Sequence, residues 1–183
     1  MNAILPVKMF LTRGCGQHKE KLVSFEKALR EAGINPFNLV KVSSIFPPGC
    51  ALVGREEGLK LLHPGQIVFL VMSENATDEA HRLISASIGM AIPKTGNSYG
   101  YLAEHEGFGQ SEKDAGRYTE GLAAEMLATK LGRRFDGPAA RTKDGHTYRL
   151  SGTMSVTASS ITQTANGSEG LWTTAIAAAV FVT

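Results

Sequence analysis

The sequence predicts an α/β sandwich with largely antiparallel sheets, folded as a single domain. Three observations carry that reading. The chain has 183 residues, the length of one ordinary domain. Segments with helical and strand-like patterning are interspersed rather than segregated. The strand-like runs crowd together near the C-terminus with short links, which favours antiparallel pairing over a doubly wound parallel sheet.

The elements follow in order. A helix is expected over 19–32, where Leu22, Phe25 and Leu29 recur at helical spacing and Gly33 is suited to the position just past the helix end. A strand follows over 38–46, an apolar β-branched run, and another over 66–72. A second helix is expected over 77–90, with Asp78 and Glu79 in its first turn, where the helix dipole favours anions, and Pro93 beyond its end. A strand over 98–106 leads to a third helix. That helix opens at Ser111 with Asp114 as a capping partner, turns Ala115, Tyr118, Leu122, Met126 and Leu127 to a core, and ends at Gly132. Strands over 147–152, 153–159 and 171–182 complete the chain. The last is alanine-rich, interrupted by Thr173 and Thr174, and too short for a membrane span, so it reads as a buried final strand.

Composition excludes several function classes. Hydrophobic residues at 43% and charged residues at 20% belong to a globular chain with a core, not to a disordered or collagen-like one. The net charge of +2 is not gathered into a basic stripe, so nucleic acid is not an expected partner. Cys15 and Cys50 form no CxxC or Cys/His cluster, and the five histidines lack ligand spacing, so free thiols in a reducing compartment are expected and zinc is not. The start has no sustained apolar run and no segment reaches the length of a membrane span, which predicts a cytoplasmic protein. Gly14-Cys15-Gly16 with Lys19 lacks the phosphate-loop spacing and follows no clear strand.

Three places could carry chemistry. Ser43 and Ser44 lie inside an apolar run just before Ile45, Phe46 and the paired Pro47 and Pro48, which force an extended path and end ladder pairing. The two serines are either small turn residues or a constrained reactive pair. Glu26 shares a helix face with Leu22 and Leu29, so its carboxylate is at least partly inside, reaching for solvent or for a cation such as a guanidinium. In the strand before Gly107, alternation puts Leu102, Glu104 and Glu106 on one face and Ala103 and His105 on the other, with one carboxylate following the leucine inward as a possible proton donor. A serine hydrolase is disfavoured because no nucleophile elbow surrounds Ser43 or Ser44.

Three segments together resemble the pyruvoyl-dependent arginine decarboxylases: NLVKVSSIFPPG from Asn38, ISASIGMAIPK from Ile84 and LAEHEGFG from Leu102, in the family's order and at similar separations. The resemblance is clear from about residue 25 to 132 and continues to the alanine-rich C-terminal strand. It implies self-cleavage between Ser43 and Ser44 into a β chain of residues 1–43 and an α chain of residues 44–183, with Ser44 becoming a covalent pyruvoyl group, and no pyridoxal phosphate or metal. It further implies Schiff-base decarboxylation of L-arginine to agmatine and carbon dioxide, with Glu104 as general acid. Asn38 would orient carbonyl and substrate, and Ser43, Glu26 and Leu29 would line the substrate site. Glu26 stands where an aspartate is common, so charge is kept and reach is changed. A four-layer αββα sandwich is implied, assembled as a trimer of αβ protomers with sites between subunits. The alternatives are an unprocessed, non-catalytic paralogue and a pyruvoyl decarboxylase for another cationic amino acid.

Overall fold

The computed structural model describes residues 4–94, 98–152 and 154–183. Along the chain it forms β1 (Lys8–His18), α1 (Lys21–Ala32), β2 (Asn38–Lys41), β3 (Ile45–Phe46), β4 (Ala51–Leu52), α2 (Arg55–Lys60), β5 (Ile67–Thr77), β6 (Leu83–Pro93) and β7 (Gly100–Phe108). α3 (Glu112–Lys130), a 3-10 turn (Gly137–Ala140), β8 (Thr147–Arg149), β9 (Ser155–Asn166) and β10 (Trp172–Val182) complete it. Two five-stranded sheets result, ordered β2-β5-β10-β1-β4 and β3-β7-β6-β9-β8. The long pairings are antiparallel, and only the short β2 and β4 pair in parallel, with β5 and β1. The expected α/β fold with mostly antiparallel sheets is therefore what forms.

β10 shows why the C-terminal segment is so rich in alanine. It is the middle strand of the first sheet, and both its faces are covered, one by the second sheet and the other by α1. Period-two alternation sends Ala175, Ala177, Ala179 and Phe181 into the core between the sheets, and Ile176, Ala178, Val180 and Val182 into the core under α1. A strand buried on both faces reads as a continuous apolar run, as this one does. A third core lies between α3 and the outer face of the second sheet, around Ala123, Leu127, Tyr148 and Val156.

The N-terminal strand β1 has no counterpart in the sequence reading, which found no clear strand before Gly14. Its glycines are the reason it was obscured and the reason it works. A Cβ at Gly14 would collide with the Ala28 carbonyl of α1, and one at Gly16 with the Ser24 carbonyl. The helix backbone thus lies directly on the strand. α1 meets it with its smallest residues, burying Ser24, Ala28 and Ala32, while Thr12 Oγ1 donates to the Ala32 carbonyl at 2.6 Å. The expected α1 stripe is corrected accordingly: Leu22 is 76% exposed, and Phe25 and Leu29 are only partly covered.

The helix expected over 77–90 does not form. Thr77 ends β5, the chain turns over 78–82 with His81 at φ 63, and residues from Leu83 onward are β6. Ile84, Ala86, Ile88 and Met90 face the core between the sheets, whereas Ser87 and Gly89 face α3. Apolar residues on one face and small ones on the other imitate a helical stripe over a short window, and burial of both faces removes the polar alternation that would mark a strand.

The region 38–46 is not one strand but two, β2 in the first sheet and β3 in the second. Strand 147–152 is shorter than expected and β9 is longer; Thr153, expected to open that strand, lies outside the described residues. α3 forms as expected, with Ser111 Oγ accepting from the Asp114 N–H as its N-cap. Its buried stripe, however, is Ala115, Gly116, Thr119, Glu120, Ala123, Ala124, Leu127 and Ala128, leaving Tyr118 and Met126 on the open side. Among the described residues no helix is long and apolar enough to cross a membrane.

Candidate active site

Ser43 and Ser44 sit where the chain crosses from one sheet to the other. β2 ends at Lys41, and Val42 makes a last ladder bond by donating to the Leu70 carbonyl at 3.0 Å. By Ile45 the chain is paired with β7, opposite Tyr101. The crossing is closed by a tight turn centred on Ser44, in which the Ile45 N–H donates to the Ser43 carbonyl at 2.9 Å. Pro47 and Pro48 follow and are unable to extend the ladder. The serines are therefore held in a bent segment between two fixed strands.

Three hydrogen bonds fix Ser44 itself. Its carbonyl accepts from the Leu102 N–H at 2.9 Å, its hydroxyl donates to Glu104 Oε2 at 2.9 Å, and the carbonyl before it is held by Ile45. Ser44 is half-buried and Ser43 exposed. A cleft of about 840 Å³ opens beside them, lined by Ser44, Tyr101 and Glu104 from the sheet and by Leu122, Met126 and Lys130 from α3. Lys130 is pinned there by donating to Ser98 Oγ at 2.5 Å and by lying 3.5 Å from the centre of the Tyr99 ring.

Glu104 does not follow Leu102 inward as the alternation suggested. Leu102 is fully buried, whereas Glu104 and Glu106 are exposed. Regular pairing of β3 with β7 ends at Tyr101, and only Ser44 continues alongside, its carbonyl on the Leu102 N–H. His105 is a satisfied side chain, its Nε2 2.7 Å from Gln110 Oε1 and its ring 4.5 Å from that of Tyr118.

The other expected site residues do not join this group within one protomer. Asn38 is at the first sheet's edge and its Nδ2 donates to the Gly65 carbonyl at 2.7 Å. Glu26 is on α1, on the far side of the first sheet, and accepts from Arg30 Nε at 2.5 Å. Leu29 packs partly against the core under that helix. Sequence reasoning did not single out Lys130, Tyr101 or Met126 as cleft residues. Met126 and Tyr118 carried a signal in their breadth across α3, beyond what one buried stripe can hold.

The two thiols show no activation. Burial, with Glu31 beside it, pushes the Cys15 thiol up to about 11, and burial alone does the same for Cys50. Among the described residues no group of three His, Cys, Asp or Glu side chains could hold a metal ion.

The donor set at Ser44 fits a ketone made from that residue. Its amide carbonyl is already hydrogen-bonded, an open cleft faces it, and a carboxylate stands within reach of its side chain. Comparison with known proteins gives the family. The family model for pyruvoyl-dependent arginine decarboxylase matches residues 8–183. A protein from Chlorobium limicola named as a probable pyruvoyl-dependent arginine decarboxylase is 53% identical over 180 residues, covering 98% of this chain and 99% of its own. The pyruvoyl-dependent arginine decarboxylase of Methanococcoides burtonii is 50% identical over 179 residues, covering 98% and 99%. A second archaeal relative, pyruvoyl-dependent arginine decarboxylase 2 of Methanosarcina mazei, is 51% identical over 181 residues, covering 98% of each. With the family model spanning nearly the whole chain and relatives at this identity, the chain belongs to the pyruvoyl-dependent arginine decarboxylases, carboxy-lyases that carry a covalently bound pyruvoyl group.

Proposed function

We propose that this chain cleaves itself between Ser43 and Ser44 and then decarboxylates L-arginine to agmatine and carbon dioxide. The observation that carries the reading is the Ser44 hydroxyl donating to Glu104 inside a bent, hydrogen-bonded turn. In cleavage, Ser44 Oγ attacks the Ser43 carbonyl carbon while Glu104 accepts the hydroxyl proton, and the Ile45 N–H steadies the negative charge growing on the Ser43 oxygen. The peptide C–N bond is exchanged for an ester. β-Elimination then frees residues 1–43 with a C-terminal carboxylate, and water converts the remaining dehydroalanine to a ketone with loss of ammonia. A substrate held at a fixed turn needs little further ordering to react.

The pyruvoyl group supplies an electrophile for the substrate amine and a sink for the electron pair released with carbon dioxide. The protein does the rest. The Leu102 N–H holds the Ser44 carbonyl, Glu104 returns a proton to the carbon that lost carbon dioxide, and the walls from Tyr101, Leu122 and Met126 limit water.

Glu26 is the proposed partner of the guanidinium, which a carboxylate binds by paired, charge-assisted hydrogen bonds. Its exposed pair with Arg30 is of the weak i,i+4 kind, worth about 0.3–0.5 kcal/mol, and yields to such a ligand. Glu26, Leu29 and Asn38 do not reach Ser44 in one protomer, which supports sites completed by a neighbouring copy in a trimer of αβ protomers. An apolar cleft of about 340 Å³ beside Ser43, lined by Ile4, Leu5, Val42, Ile45 and Phe181, is surface suited to such a neighbour. The three separate cores support the four-layer αββα arrangement. A cytoplasmic setting suits the free Cys15 and Cys50.

The test is an intact mass spectrum under denaturing conditions, followed by carbon dioxide release from arginine. Two chains divided after Ser43, the larger one without a free amine, together with release of carbon dioxide, is the expected result. A single full-length mass indicates the unprocessed paralogue. Two chains that turn over only another cationic amino acid reject arginine and keep the chemistry.

A further inference from the structure

A second cavity, of about 770 Å³, lies on the outer side of α3, between that helix and the loop carrying the 3-10 turn. It is within the usual size for a small-molecule site, and Phe135 and Tyr148 give it an aromatic wall, their ring centres 5.8 Å apart. Its charge is one-sided. Arg117, Arg141 and Lys143 line it against the single carboxylate of Glu125.

These cations differ in what they are free to do. Arg141 is committed: its Nη2 donates to Glu120 Oε2 at 3.0 Å and its Nε to the Gly145 carbonyl at 3.0 Å, and Glu120 also accepts from Ser160. Arg117 and Lys143 have no ion pair among the described residues. The Tyr148 side chain is only 2% exposed, its phenol oxygen is not among the fully buried unpartnered atoms, and no hydrogen bond between described residues uses it. Burial moves that phenol still further above neutrality.

The site is also built in advance. Asp144 Oδ1 accepts from the Thr142 hydroxyl and from the His146 and Thr147 N–H groups, which fixes the turn that presents Lys143. The Thr142 N–H closes the same turn by donating to the Thr147 carbonyl at 2.8 Å. Ordering costs on binding are correspondingly small.

We propose that this cavity binds a small organic anion, a phosphate or carboxylate on a flat apolar body, at a site separate from the arginine cleft. Arg117 and Lys143 pair the anionic group, the Tyr148 hydroxyl donates to it, and the body packs against Phe135 and Leu122. A cation such as arginine or agmatine is repelled there. The cavity shares Leu122 and Glu125 of α3 with the cleft beside Ser44, so the two sites have one wall in common.

Calorimetric titration of the purified full chain with phenyl phosphate and with phenylacetate tests this, with inorganic phosphate and benzylamine as controls, each run with the product agmatine at saturation and again without it. At least one aromatic anion is expected to bind once per chain, more tightly than inorganic phosphate, while benzylamine does not bind. The preferred aromatic anion identifies the headgroup as phosphate or carboxylate. The double variant Arg117→Gln, Lys143→Gln, both exposed positions, weakens it about tenfold or more, and Tyr148→Phe about threefold, with thermal unfolding of the double variant and basal turnover unchanged. No binding by either aromatic anion, binding indifferent to the double variant, or binding seen only without agmatine overturns the proposal.

Discussion

The Ser44 hydroxyl reaches across to Glu104 Oε2 at 2.9 Å, joining the point where the chain passes between sheets to the open flank of β7. The contact depends on two local facts. β3 is too short to cover β7 beyond Tyr101, and the Leu102 N–H locks the Ser44 carbonyl in place beside it.

Glu104→Gln keeps an acceptor for the Ser44 hydroxyl but removes the group that carries a proton. Turnover of arginine by cleaved protein is expected to fall by about 10²- to 10⁴-fold. The half-time for appearance of the two chains on a denaturing gel lengthens as well. Unchanged turnover rejects the proton-transfer role.

Glu26→Gln removes charge without changing shape. KM for arginine is expected to rise about tenfold or more, while the rate of Ser43–Ser44 cleavage stays the same, because α1 is remote from that turn within a protomer. Arg30→Ala frees the carboxylate and leaves KM unchanged or lower. Equal loss of cleavage and binding in Glu26→Gln rejects the assignment.

Gly16→Ala places a methyl group against the Ser24 carbonyl, a backbone atom that cannot move aside without shifting α1. A cost of about 1–3 kcal/mol is expected, as for overpacked cores. A lower urea midpoint at constant slope is the readout, and an unaltered midpoint shows that α1 is less firmly seated than its contacts indicate.

Asp144→Asn tests the turn around Lys143. The Thr142 hydroxyl, then the His146 N–H, then Thr147 hold the Asp144 carboxyl well below the usual carboxylate range. A carboxylate with a lowered folded-state pKa stabilises fully above its unfolded value and loses that contribution as pH falls. The native protein should therefore melt above the variant from neutrality to about pH 5, with the gap closing from about pH 4 downward. A gap independent of pH would exclude the charged form as its source.

Much of the chain was legible as sequence. The first and third helices announced themselves by a Gly33 stop and a Ser111 cap, and the strand elements by their β-branched runs, because these signals act within a few residues. β1 and β6 were harder. Both are lined by small residues for close helix approach, so the pattern that normally separates strand from helix is muted. The same limit applied to α1 and α3, whose buried stripes are the small residues and not the large ones.

The motifs around Ser43, Ile84 and Leu102 determined the family by themselves, since chemistry requires particular residue types in a particular order. Only the tertiary structure decided that Ser44 and Glu104 touch, that Glu104 stays open to solvent, and that Asn38 and Glu26 are elsewhere in the protomer. Those outcomes depend on which strands become neighbours and how far each pairing runs. Pairing across dozens of residues is settled by shared burial between two sheets and two helices, and no local window of sequence contains that information.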